Sequence, residues 1–387
     1  MHRELPAVDV DQLLRLVLAQ LGPDAQLDAA EPVADRIGPI PAALWEQLPD
    51  AVNYHSVTPL IAPAFEALSK RNGSSSSKSQ RRAIIALASH HRHMASVREA
   101  CIDRLIRDFT SAGVPMLLLK GGALAHLIYP SPDVRSMMDL DILIDAADTP
   151  AAVKIAQGLG FVFSAGPATK FSGRMHHMPV AEATVGGFRI FLDIHTDAMS
   201  PNQPYRLTMA NLSAPPRSFR RGTGPAGLTL GHSDMLHHLT RHAFEPAHCV
   251  RLIHLYDVWR YQAIFQSQIN WHDVAARFPG VPVALALVDQ VFPRRLTDNH
   301  RSRAVGQKRP SGAGHGMMPL SEIAASRAGA RAKLSALFAP PDWWLHGFYG
   351  VPLDKSLLFC RAVRHPATLA RWMLKRYAAA AGVPAHE

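Results

Sequence analysis

Residues Met116 to Asp145 read MLLLKGGALAHLIYPSPDVRSMMDLDILID. The four apolar residues at the start, Met116 to Leu119, form a run as short and sharply bounded as a buried strand. Lys120-Gly121-Gly122 follow, where missing side chains let the backbone turn tightly and approach a ligand. Ala123 to Tyr129 has helical character and stops at Pro130 and Pro132. A second strand is expected over Met138 to Ile144, carrying Asp139 and Asp141. Residues two apart in a strand face the same side, so both carboxylates project together while Leu140 and Ile142 face the other way. Two like charges side by side are costly unless a cation sits between them. The pair asks for a metal.

A strand, a glycine turn, a short helix and an Asp-x-Asp strand together resemble the core of the nucleotidyltransferase superfamily that includes DNA polymerase beta. The wording LLLKGGALAHLIYP, then VRSMMDLDILID, is similar to one bacterial branch, the uncharacterised nucleotidyltransferase family. That branch has a Lys-Gly turn, an Arg shortly before the carboxylates, and Asp-x-Asp-x-Leu-hydrophobic. The resemblance is close from Pro115 to His195 and looser in the helical flanks. It implies an α+β fold, a small mixed β-sheet core with helices, flanked by N-terminal and C-terminal helical regions.

The superfamily places a third carboxylate on a later strand. FRIFLDIH, Phe188 to His195, supplies Asp193 on a plausible strand after a Gly186-Gly187 turn. Asp139, Asp141 and Asp193 are therefore the candidate catalytic residues and metal ligands. The implied chemistry is two-metal transfer of an NMP from an NTP to an acceptor whose identity the sequence does not carry. Hard oxygen ligands and a phosphate substrate point to two Mg²⁺ ions. Backbone N–H groups around Gly121 and Gly122 would cradle the triphosphate at a helix N-terminus. Lys120 and Arg135 are charge candidates for the same phosphates. Active members carry Gly-Ser in that turn, whereas this chain has Gly121-Gly122-Ala123. Two rivals follow: a catalytically silent nucleotide-binding module, and a scaffold whose basic tail is the working part.

A formal charge of +10 favours anionic partners. Much of the excess sits in Arg217 to Arg221, Arg294 to Arg309 and Lys355 to Arg376. Without interleaved aromatics this reads as solvated surface rather than a nucleic-acid groove. Cys101, Cys249 and Cys360 show neither metal-ligand spacing nor a disulfide framework. The N-terminus lacks the apolar core of a signal peptide, and no run approaches membrane-span length. A cytoplasmic location is the default expectation. No acid occurs from Lys355 through His386, so the basic segment 355–377 could also meet an anionic membrane.

In chain order, residues 1–112 are expected to be helical, interrupted by the polar loop NGSSSSKSQ at 72–80. Residues 113–200 are the core. A Pro-, Gly- and Arg-rich connection spans 201–232, a helical region 233–290, a disordered linker 291–320 and a basic helical tail 321–387. His90, His91 and His93 share a helix, but neighbouring side chains point apart, which reads against a metal site. His176, His177, His195, His238 and His242 are possible substrate-pocket residues. His238 and His242 have i, i+4 spacing, yet Leu239-Thr240-Arg241 between them lacks the Glu of HExxH.

Overall fold

The computed structural model describes residues 9–22, 30–37, 39–71, 76–163, 178–199, 205–245, 250–292, 310–311, 313–315, 317, 323, 327 and 329–380. The chain forms two compact units. One comprises Met1–Leu239 and Arg251–Trp271, the other Thr240–Val250 and His272–Glu387.

The first unit opens with four helices, α1 (Val10–Leu21), α2 (Ala30–Ile37), α3 (Ala42–Tyr54) and α4 (Thr58–Ser69). Leu13, Leu14, Val17, Leu18 and Leu21 recur at helical spacing, and α1 buries all five. The Asp9 carboxylate caps α1 by accepting from the Gln12 N–H at 2.6 Å. The long helix α5 (Lys78–Ser111) begins inside the stretch expected as polar loop. Ser77 Oγ accepts from the Gln80 N–H, and the Gln80 side chain accepts from the Ser77 N–H. That reciprocal cap nucleates the helix three residues early, a local device that composition hides. Residues 72–75 lie outside the described residues.

A five-stranded mixed sheet follows: β1 (Leu117–Leu118), β2 (Asp139–Leu143), β3 (Val162–Phe163), β4 (Ala181–Val185) and β5 (Phe188–His195). The order is β1-β2-β5-β4-β3. Only β2 and β5 pair in parallel; the other neighbours are antiparallel. The fold is thus α+β with a mixed sheet, as the motif implied. Two short helices complete the core, α6 (Lys120–Leu127) and α7 (Thr149–Gly158). Alternation explains the layering of β5: Ile190, Leu192 and Ile194 are buried on one face, leaving Asp193 and His195 on the other.

The connection after the core is more ordered than its composition suggests. Its strands β6 (Arg217–Phe219) and β7 (Gly227–Thr229) form an antiparallel ladder. Arg221, in the turn between them, is buried and pairs at 2.5 Å with both Glu99 and Asp103 of α5. This arginine, counted among the surface charges by composition, ties the ladder to the helix. Helix α8 (His232–Ala243) and helix α9 (Leu252–Ile264) come next.

The second unit contains α11 (Gly280–Val291) after α10 (Trp271–Arg277), then α12 (Ala330–Phe338), α13 (Asp342–Tyr349) and α14 (His365–Ala380). Its core is aromatic. Trp343 Nε1–H donates to Leu287 O at 3.2 Å, Trp344 Nε1–H donates to Phe244 O at 3.1 Å, and Trp344 stacks on Phe348. Buried indole N–H groups thus find backbone acceptors, as burial of a donor requires. Most of the expected linker 291–320 lies outside the described residues. Among the described residues no single helix is long and apolar enough to cross a membrane.

Candidate active site

The site forms where β2 and β5 run side by side. Their register aligns Asp141 with Asp193 and Leu143 with His195. Aligned residues on adjacent strands point to the same face, so Asp139, Asp141, Asp193 and His195 share one side of the sheet. One ligand atom each from Asp141, Asp193 and His195 lie within 4.8 Å of one another, close enough to hold a metal ion. Asp139 stands outside this closest group, one step back along β2. His195, expected only as a possible pocket residue, is therefore more central than its sequence context showed. Its signal was present: it sits two residues after Asp193, on the same face.

Lys120 enters from the turn between β1 and α6. It holds φ at +42°, a left-handed conformation unusual for a side-chain-bearing residue. That conformation accompanies a specific contact: Lys120 Nζ donates to Asp141 Oδ1 at 2.6 Å. His195 Nε2 lies 2.8 Å from the same oxygen. Burial opposes ionisation of Asp141, yet the Lys120 charge and the His195 hydrogen bond hold its carboxyl well below the usual range. Asp139 goes the other way. The Asp141 charge, reinforced by burial, pushes it up to about 6. Two carboxylates on one strand face are thereby driven apart, the behaviour of a closely spaced like-charge pair.

Gly121 and Gly122 are buried in the first turn of α6. Gly121 serves packing: a Cβ there would meet Met137 Cγ at 2.5 Å. A Cβ on Gly122 would meet the Leu118 side chain at ordinary distances, Cδ2 at 3.6 Å and Cβ at 3.9 Å.

Arg135, expected as a phosphate ligand, has its donors taken up inside the fold. Its Nε and Nη2 both donate to Asp257 of α9, the latter at 2.5 Å, and Nη1 donates to Ser136 O. Tyr129 Oη–H donates to the same carboxylate at 2.6 Å. Sequence reading had no means to pair Asp257 with Arg135, which lies 122 residues away.

The remaining histidines separate. His238 on α8 is buried, and burial together with the nearby Lys120 charge pushes it down to about 3, so it is a neutral imidazole beside the site. His242 is half-buried and belongs to the second unit. His176 and His177 lie outside the described residues.

Comparison with known proteins gives three findings. A solution structure of the antibiotic-resistance factor ANT(2'')-Ia is similar at a TM-score of 0.34 and 14% identity, over 50% of this chain and 96% of that one. No curated protein matches the chain. Residues 41–287, which contain every element of the sheet and both of its carboxylate strands, match the family described as uncharacterised nucleotidyltransferase. The chain belongs to the uncharacterised nucleotidyltransferase family.

Proposed function

We propose that this chain moves a nucleoside monophosphate from an NTP to a hydroxyl or similar acceptor. The observation that carries the reading is the parallel register of Asp141 with Asp193, which gathers three carboxylates on one sheet face. Their oxygens, with His195 alongside, fit divalent cations in charge and donor type. Bound ions, Mg²⁺ for so hard a donor set, would supply an acidified acceptor hydroxyl and charge neutralisation for the leaving pyrophosphate. Asp139 and Asp141 would hold them, and Asp193 would complete the set on the acceptor side and take the acceptor proton. Lys120 is the cation at the head of α6, where the N–H groups of Gly121 and Gly122 would meet the phosphates. Arg135 acts on this site through the fold, by anchoring the segment that leads into β2.

The test is calorimetric titration with each NTP, with and without Mg²⁺, beside an Asp139→Ala/Asp141→Ala control. Magnesium-dependent binding that disappears in the control is the expected result. Absence of binding to any NTP would sink the proposal.

A second reading, a catalytically silent nucleotide binder, is favoured by one feature: Gly122 and Ala123 stand where active members carry a serine after the glycine. The space at Gly122 allows the question to be asked directly. Gly122→Ser adds a Cβ in ordinary van der Waals contact and a hydroxyl within the first turn of α6. It is expected to tighten Mg·NTP binding about tenfold, the worth of one hydrogen bond to a charged group. Unchanged affinity in a stably folded variant would show that the serine has no counterpart role here.

A further inference from the structure

The long helix α5 carries one buried cation that the reading above leaves unused. Arg98 lies on the same helical stripe as Ala95 and Ile102 and is only 2% exposed. The strongest charges around it are Asp139, which attracts it, and Arg135, which repels it. Among the described residues Arg98 has neither a hydrogen-bond acceptor nor an ion-pair partner. Burial lowers it to about 10, so it stays charged at neutral pH. A buried guanidinium without an acceptor costs several kcal/mol, roughly what desolvating one ion costs after relaxation. An apolar side chain of similar volume would avoid that cost.

A second arginine borders the same end of β2. Arg251, immediately before α9, touches Met138 Sδ, reaches Ser56 Oγ at 3.4 Å and lies 6.0 Å over the Tyr54 ring. Among the described residues it too lacks a carboxylate partner. Ser56 is held at φ +57°, a left-handed conformation that a side-chain-bearing residue adopts only under constraint. His91, two helical turns before Arg98, lies 3.4 Å from Asn53 Oδ1. Burial, His90 and Arg98 push His91 down to about 4, so it adds no competing charge. His91 ties α5 to Asn53, Arg251 ties Ser56 to Met138, and Asp139, the next residue, carries the charge that attracts Arg98 most strongly.

We propose that Arg98 and Arg251 form a phosphate-binding subsite at the start of β2, with Arg98 the buried donor and Arg251 the donor at its rim. The choice of phosphate rests on the nucleotidyl-transfer reading. The phosphate would come either from the NTP tail or from a phosphorylated acceptor, and guanidinium recognition is the same for both.

The experiment compares wild type, Arg98→Met and Arg251→Met by titration with Mg·ATP, Mg·AMP, Mg·tripolyphosphate and inorganic phosphate. If the subsite takes the nucleotide tail, Arg98→Met weakens ATP and tripolyphosphate about 10- to 100-fold and AMP less than twofold. If it takes an acceptor phosphate, ATP binds unchanged but inorganic phosphate no longer binds the ATP-loaded variant. Arg251→Met follows the same pattern with a smaller effect, and Arg98→Lys recovers part of the loss. Identical titrations in all variants would overturn the subsite. Thermal melting supplies the control for folding. Removing a buried charge that no described residue pairs with is expected to leave Tm unchanged or raise it, and a fall of several degrees would make Arg98 a structural cation and overturn the proposal. Failure of the nucleotidyl-transfer reading looks different: wild type binds no NTP, while inorganic phosphate still distinguishes wild type from Arg98→Met.

Discussion

Asp257→Ala is expected to cost the first compact unit about 3–5 kcal/mol of stability. Asp257 is 2% exposed and Arg135 is 6% exposed, so both charges sit in the interior. Burial opposes the Arg135 charge, but Asp257 more than offsets it and raises the guanidinium above its ordinary value. Truncating the carboxylate strands that cation and also leaves the Tyr129 hydroxyl, buried and far from titrating, without its acceptor. The damage extends beyond a single pair because α9 is tied twice to the segment entering β2. Arg260, on the same helix, donates through Nε to Ile128 O at 2.7 Å and lies 5.0 Å over the Tyr129 ring. Urea denaturation followed by circular dichroism measures the effect. A loss below about 1 kcal/mol would mean the pair is as weak as a surface ion pair and would return Arg135 to the list of free phosphate ligands. Replacing both partners, Arg135→Met with Asp257→Leu, is expected to recover most of the loss, since no buried charge then remains.

That network marks where sequence reading stops. The two carboxylate strands were legible because each carries its own evidence: Phe188 to His195 alternates and follows Gly186-Gly187, and β5 has those bounds. Likewise β2 occupies Asp139–Leu143 within the expected Met138 to Ile144, and the shared face of Asp139 and Asp141 follows from strand geometry alone. Other elements depend on partners far away in the chain. Arg221 reads as one more surface charge until Glu99 and Asp103 are seen beside it. The β6–β7 ladder reads as a connection because three-residue strands leave no periodicity to detect. Arg98 reads as one polar residue on a mostly apolar stripe; its burial exists only once α5 is packed. At the site itself, the glycines were read for ligand approach, whereas Gly121 is equally required by the Met137 side chain lying against it. Lys120 was read toward phosphate, and its ammonium faces Asp141. The two readings are compatible, because an ammonium that pairs with a buried carboxylate is also the charge type that meets a phosphate.

Asp193→Asn is expected to lower turnover on the order of a thousandfold, about 4 kcal/mol of transition-state stabilisation, while Mg·NTP affinity changes no more than about threefold. The split follows from position. Asp139 and Asp141 lie on β2, and Lys120 at the head of α6 donates to Asp141, so the proposal gives them the nucleotide side of the site. Asp193 lies across the strand pair on β5, where the proposal gives it the acceptor side. Asn keeps the size and shape of the side chain but can neither take the acceptor proton nor neutralise a cation. The fold should survive. Asp193 is half-buried, and its charge is one of those that raise Asp139, so its removal relieves repulsion within the carboxylate group. Single-turnover kinetics with a radiolabelled NTP, beside calorimetric Kd values, separate the two effects. Equal losses of affinity and turnover would place Asp193 on the nucleotide side with the other two carboxylates. Full activity in Asp193→Asn would remove it from the reaction, leaving His195, which shares its face and already touches Asp141, as the group to examine for the acceptor proton.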